Sequence, residues 1–222
     1  MNFSRNLAAE FTGTAGLLAV VVGSGIMGER LAGGNIAVAL LANSLATGCG
    51  LVILIYGFGQ ISGAHINPAV TFVEGLGGRI TSRTAGLYML VQIGGGVFGV
   101  ILANLMFDLP AINVSEKVRS GGGQYLGEFV ATFGLITVIR LGVRFYPHLV
   151  GVMVASYITA AYWFTSSTSF ANPAVTIARS LSNTFAGIAP ESVPMFLVSQ
   201  LAGAVTAMLF CNWLLTEVEN VE

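Results

Sequence analysis

The pentapeptide NPAVT stands at Asn67-Pro68-Ala69-Val70-Thr71 and again at Asn172-Pro173-Ala174-Val175-Thr176, 172 − 67 = 105 positions later. Each copy reads as the start of a helix. An asparagine side-chain oxygen accepts from the backbone N–H groups that a first helical turn leaves free. Proline suits the next position, where its missing N–H costs nothing and its fixed φ is already helical. From Asn67 to Gly77, and from Asn172 to Ser182, the chain offers about 11 residues, a helix of about 16 Å. That is half of a hydrocarbon core about 30 Å thick.

Half a span matters here because the composition places the chain in a membrane. Of its 222 residues, 55% are hydrophobic and only 9% charged, and the mean hydropathy is +0.81. A soluble domain carries about a quarter charged residues. Apolar runs near 7–28, 36–58, 84–107, 125–143, 148–165 and 193–215 are long enough to cross, at about 20 residues per span. The first run continues well past a signal-peptide core without a small-residue cleavage site, so it is expected to be a retained helix. A formal charge of −1 offers no basic surface for nucleic acid. Cys49 and Cys211 lie inside apolar runs and imply no disulfide framework. No cofactor motif, metal site or nucleotide loop is visible.

The pentapeptide is one part of a longer repeat. Glu10 with Phe11 and Thr14 recurs as Glu128 with Phe129 and Thr132, and Gln92 with Gly95 and Gly99 recurs as Gln200 with Gly203 and Ala207. The order Glu, Asn-Pro-Ala, Gln is kept while the offsets vary, as expected of a tandem duplication with loops of different length. The repeats fall at about 1–110 and 120–222, joined by an outer loop at 108–123 within one domain, 1–222. Three spans per copy force the second copy to enter from the opposite side. The predicted fold is therefore an all-α membrane protein, an inverted 3+3 repeat of six transmembrane helices with two re-entrant half-helices. Such repeats place functional sites near the bilayer midplane.

Irregular backbone at membrane depth survives only where it is buried in protein or lines a watery cavity. The stretches before each asparagine, 57–66 and 165–171, are expected to be such backbone. Two half-helices meeting at their starts would join the opposite cavities into a pore. The buried carboxylates Glu10 and Glu128 need partners inside a membrane, and the free backbone of these two loops could supply them. With both termini cytoplasmic, Arg5, Arg79, Arg83, Arg140 and Arg144 lie inside against Arg30, Lys117, Arg119 and Arg179 outside, a small positive-inside excess.

SGAHINPAV at 62–70, the second Asn172-Pro173-Ala174, Glu10, Glu128 and Gln92 together resemble the major intrinsic proteins, the aquaporins and aquaglyceroporins. The resemblance covers essentially the whole chain. It implies a homotetramer with one pore per subunit, seated in the lipid bilayer, here a bacterial inner membrane, and passive flux of water or small neutral solutes. It also implies that Asn67 and Asn172 aim amide donors into the pore, while the positive ends of the two half-helices repel cations, a barrier of the kind described for aquaporins. His65 is implied to line the inner vestibule.

The filter departs from the family. Most relatives carry an arginine directly after the second motif, where this chain has Val175. Counted at the family's spacing, the remaining filter positions are Thr47, Ala160 and Ser169, so none is aromatic, histidine or large. The set resembles a divergent bacterial branch associated with metalloids, and implies a wide, uncharged filter passing glycerol and arsenous acid as well as water. A strict water channel is the alternative. A junctional protein and an intramembrane hydrolase using Ser62 and His65 are remoter ones; no nucleophile-elbow sequence surrounds Ser62.

Other residues have plainer expectations. Arg179 is read as a snorkelling surface arginine, with a displaced filter arginine as its alternative. His148 is read as a turn residue, Cys49 and Cys211 as packing, and the glycines at 95, 99 and 203 as small-residue helix contacts. The acidic tail at 216–222 is read as a solvated end.

Overall fold

The computed structural model describes residues 3–216. Eight helices account for most of it: α1 Phe3–Leu31, α2 Ile36–Ser62, α3 Pro68–Leu76, α4 Ser82–Met106, α5 Gly122–Phe145, α6 Val150–Phe164, α7 Pro173–Arg179 and α8 Val193–Thr216. Single 3₁₀ turns at Pro147–Leu149 and Pro190–Ser192 lead into α6 and α8. The order of two long helices, a short one and a long one occurs twice. The glutamates predicted to form a solvated tail lie outside the described residues.

Five helical stretches, α1, α2, α4, α5 and α8 with its leading turn, are long and apolar enough to cross a membrane. The sixth predicted span is shorter. α6 has 15 residues, about 22 Å, and the Pro147–Leu149 turn adds about 6 Å, which together match the hydrocarbon core.

Two boundaries differ from expectation. α2 runs on to Ser62, so the irregular stretch before Asn67 is Gly63–Ile66 and not 57–66. The helix stops where Gly63 takes the left-handed φ of 88° and its N–H closes on Gly59, a conformation glycine adopts without a Cβ clash. α7 is 7 residues long, about 10 Å, and the chain turns away at Ser180 instead of continuing helical to Ser182.

Close helix pairing sets the frame for the two short helices. α1 packs on α4 and α5 packs on α8. A Cβ on Gly95 would lie 2.3 Å from the Phe11 carbonyl oxygen, and one on Gly99 2.2 Å from that of Ala15. Gly203 repeats the arrangement against Phe129 at 2.4 Å. These approaches are backbone to backbone, so no side chain can yield. Gly99→Val should therefore destabilise the protein by at least about 2 kcal/mol, read as a lowered melting temperature in detergent.

Candidate functional site

α3 and α7 start at the same depth and face each other there. Asn67 and Asn172 cap them from extended backbone, with φ −158° and −156°. The Asn67 Oδ1 accepts from the Ala69 N–H at 2.8 Å, and the Asn172 Oδ1 from Ala174 at 3.0 Å and Val175 at 3.3 Å. Each carboxamide also reaches across the joint. Asn67 Nδ2 donates to the Ala171 carbonyl and Asn172 Nδ2 to that of Ile66, both at 2.8 Å. One N–H of each amide is thus used for cross-linking, and a carboxamide has two. Both asparagines line a single cavity of about 710 Å³, with Val70 and Val175 beyond them.

The loops leading into the two caps are held in costly conformations. Ala64 (φ 46°) and Ile66 (φ 49°) are left-handed, and so are Ser169 (50°) and Ala171 (49°), each 105 positions on. Non-glycine residues there cost on the order of 1–3 kcal/mol each and persist only where the surroundings enforce them. Glu10 and Glu128, both fully buried, do the enforcing. Glu10 accepts from the N–H groups of His65 (3.0 Å) and Ile66 (2.7 Å) and from the Ser62 hydroxyl (2.6 Å). Glu128 accepts from Phe170 and Ala171, both at 2.9 Å. Gln92 links Glu10 to Thr71 of α3, and Gln200 links Glu128 to Thr176 of α7. Both carboxylates are thereby tied to the half-helices they precede.

Thr47, Ser169 and Val175 all line the cavity. Ala160 does not. It is exposed on another face of α6, because Val154, Ile158 and Tyr162, spaced one helical turn apart, are the residues that face inward. Position 160 is two residues from both 158 and 162, about 200° around the helix. The aromatic absent from the sequence-based set is therefore Tyr162, whose hydroxyl lies 3.2 Å from the Thr47 hydroxyl. The i, i+4, i+8 pattern of α6 was the signal that pointed to it. Ser169 is 2% exposed, and its hydroxyl has no protein partner among the described residues.

Arg179 is not a surface residue. It is 2% exposed, its guanidinium carbon lies 3.5 Å from the Phe170 ring centroid, and its Nε donates to the Ala186 carbonyl. α7 ends there, so a snorkelling path to solvent is closed by the segment that folds back over it. His65 lines the cavity with Nδ1 3.1 Å from the Thr71 hydroxyl. His148 is an exposed turn residue whose carbonyl accepts from Tyr56. Cys49 is exposed on α2 rather than packed, whereas Cys211 is buried. At the cavity end nearer the chain termini, Glu74 pairs with Arg79 and lies 3.7 Å from Arg140.

The sequence model of the family Major intrinsic protein matches residues 1–145. The chain belongs to the major intrinsic protein family. It is a multi-pass membrane channel of that family. It is 51% identical over 214 residues to the aquaglyceroporin AqpS of Rhizobium meliloti, covering 96% of this chain and 91% of that protein. It is also 32% identical to aquaporin TIP1-2 of Zea mays, covering 93% and 84%. Among solved structures, the aquaglyceroporin of Plasmodium falciparum shares the fold, with a TM-score of 0.72 at 20% identity over 96% of this chain and 95% of that one.

Because each carboxylate satisfies strained backbone as well as a glutamine, Glu128→Gln should cost about 3 kcal/mol or more, the scale of an unpaired buried donor plus a lost charged acceptor. The measurement is the folded, monodisperse fraction by size-exclusion chromatography. An unchanged fraction would show that the loop before α7 holds its own shape.

Proposed function

We propose that the chain conducts small uncharged hydroxylated solutes passively, glycerol and undissociated arsenous acid among them, as well as water. The observation that carries this reading is the cavity itself. Both cap asparagines line it, and the lining residues Thr47, Tyr162, Ser169 and Val175 carry no charge. A neutral polyol or hydroxide-type solute leaving water needs partners for its hydroxyls, since a lost hydrogen bond costs about as much as an unpaired buried group. The remaining asparagine N–H groups are such partners. Val70 and Val175 suit the carbon face of the same molecule. The 51% identity to a protein named an aquaglyceroporin supports the same class of solute.

Tyr162 favours a second reading, a water channel that excludes solutes, because it places an aromatic side chain where alanine was expected. Stopped-flow light scattering on proteoliposomes separates the two. Glycerol and arsenous acid should enter wild-type vesicles quickly, and Val175→Arg should slow them by roughly tenfold or more, the scale on which one pocket contact discriminates. Tyr162→Ala should speed glycerol, whereas Ala160→Trp should leave it unchanged. Water flux without glycerol flux in the wild type would establish the water-only reading.

The hydrolase alternative fits poorly. Ser62 donates to Glu10 and His65 contacts Thr71, so the two are not paired with each other as nucleophilic catalysis requires. The remainder of the reading follows the family resemblance: four copies in a bacterial inner membrane, with both termini cytoplasmic.

A further inference from the structure

The filter valine leaves a question of charge that the far mouth, opposite the termini, answers. Arg179 sits four residues beyond Val175, one helical turn towards that mouth, and lines the same cavity. A second arginine stands behind it. Arg119, from the loop between α4 and α5, is 7% exposed and lies 5.0 Å from the centroid of the same Phe170 ring. Its Nε donates to the Gly187 carbonyl at 2.8 Å, an Nη to Ser167 at 3.4 Å, and its backbone N–H to the Ser192 hydroxyl at 3.0 Å.

These two guanidiniums are bound by carbonyls and an aromatic ring, and among the described residues neither forms a salt bridge. The buried carboxylate near them, Glu128, is already engaged by two backbone N–H groups and Gln200. Guanidinium stays protonated in proteins, so two fixed positive charges face one negative. Burial first, then Arg119 and Arg179, lower the pKa of the Lys117 ammonium to about 8, with Glu29 opposing. At the opposite end of the cavity Glu74 pairs with Arg79 and lies 3.7 Å from Arg140, and Arg144 also lines the wall. What sets the mouth where α7 ends apart is that, among the described residues, its two arginines have no carboxylate in salt-bridge contact. Charge held in a poorly solvated wall acts on a passing ion far more strongly than the same charge in water.

We propose that Arg179, backed by Arg119, is the residue that excludes cations from this pore, in place of an arginine at position 175. The inference rests on the channel reading, because a cation barrier has meaning only where solutes pass. It differs in where the charge stands: Arg179 stacks on Phe170 beside the passage, so the ring at Val175 stays free for bulkier neutral solutes while the field remains.

Proteoliposomes loaded with a pH-sensitive dye and polarised with potassium and valinomycin test it, with glycerol flux recorded on the same preparations. Arg179→Gln should raise the proton and sodium leak at least tenfold while glycerol still passes. Arg179→Lys should hold the leak near the wild-type level. Arg119→Gln, at a position that does not itself line the cavity, should raise it by a smaller factor, and covers the case in which Arg179→Gln fails to fold. The double variant Val175→Arg with Arg179→Gln should return the leak to the wild-type level and slow glycerol. A leak equal to wild type in both glutamine variants, with glycerol flux intact, would overturn the assignment. Absent glycerol flux in the wild type would instead count against the solute reading alone.

Discussion

Each half of this channel hangs on a buried carboxylate that accepts backbone N–H groups from a loop no helix could satisfy. Glu10 and Glu128 each take two such donors from residues 65–66 and 170–171. Without them the loops would bring unpaired polar groups and left-handed non-glycine residues to membrane depth, where nothing else could stabilise them. With them, the half-helices start where the asparagine caps can meet. The close glycine crossings of α1 with α4 and of α5 with α8 serve the same end, because they bring Gln92 and Gln200 within reach of the carboxylates.

The passage that results is polar at its centre and apolar beside it. The asparagine amides are fixed by contacts on both sides, so their remaining donors are directed without reorganisation when a solute arrives. In the proposed function, selection by size falls to the residues one turn beyond, where Thr47 and Tyr162 approach each other from α2 and α6. Selection by charge is assigned, in the same proposal, to arginines outside that set.

Much of this was legible in the sequence because it rests on local chemistry. An Asn-Pro pair is a helix start in any setting, a glutamate in an apolar run must find donors, and a repeat with three spans must invert. The misreadings arose where spacing stood in for three-dimensional direction. Ala160 was reached by counting back from Asn172, but the face of α6 that meets the cavity is set by helical period, which selects Ile158 and Tyr162. Arg179 looked like a surface residue because an arginine near a helix end usually finds water, and only the fold-back of residues 180–189 closes that route. Arg119 lies in a polar loop with no periodicity at all, so nothing local marked it as buried.

The reciprocal links at the midplane also bear on how the chain is made. Asn67 completes its hydrogen bonding with the carbonyl of a residue 104 positions further along, and Asn172 with one 106 positions back. A ribosome delivers the first half well before the second. During that interval the first half-helix has its carboxylate and its cap but no partner for the crossing amide. The two reciprocal amide bonds can therefore form only once both halves are present.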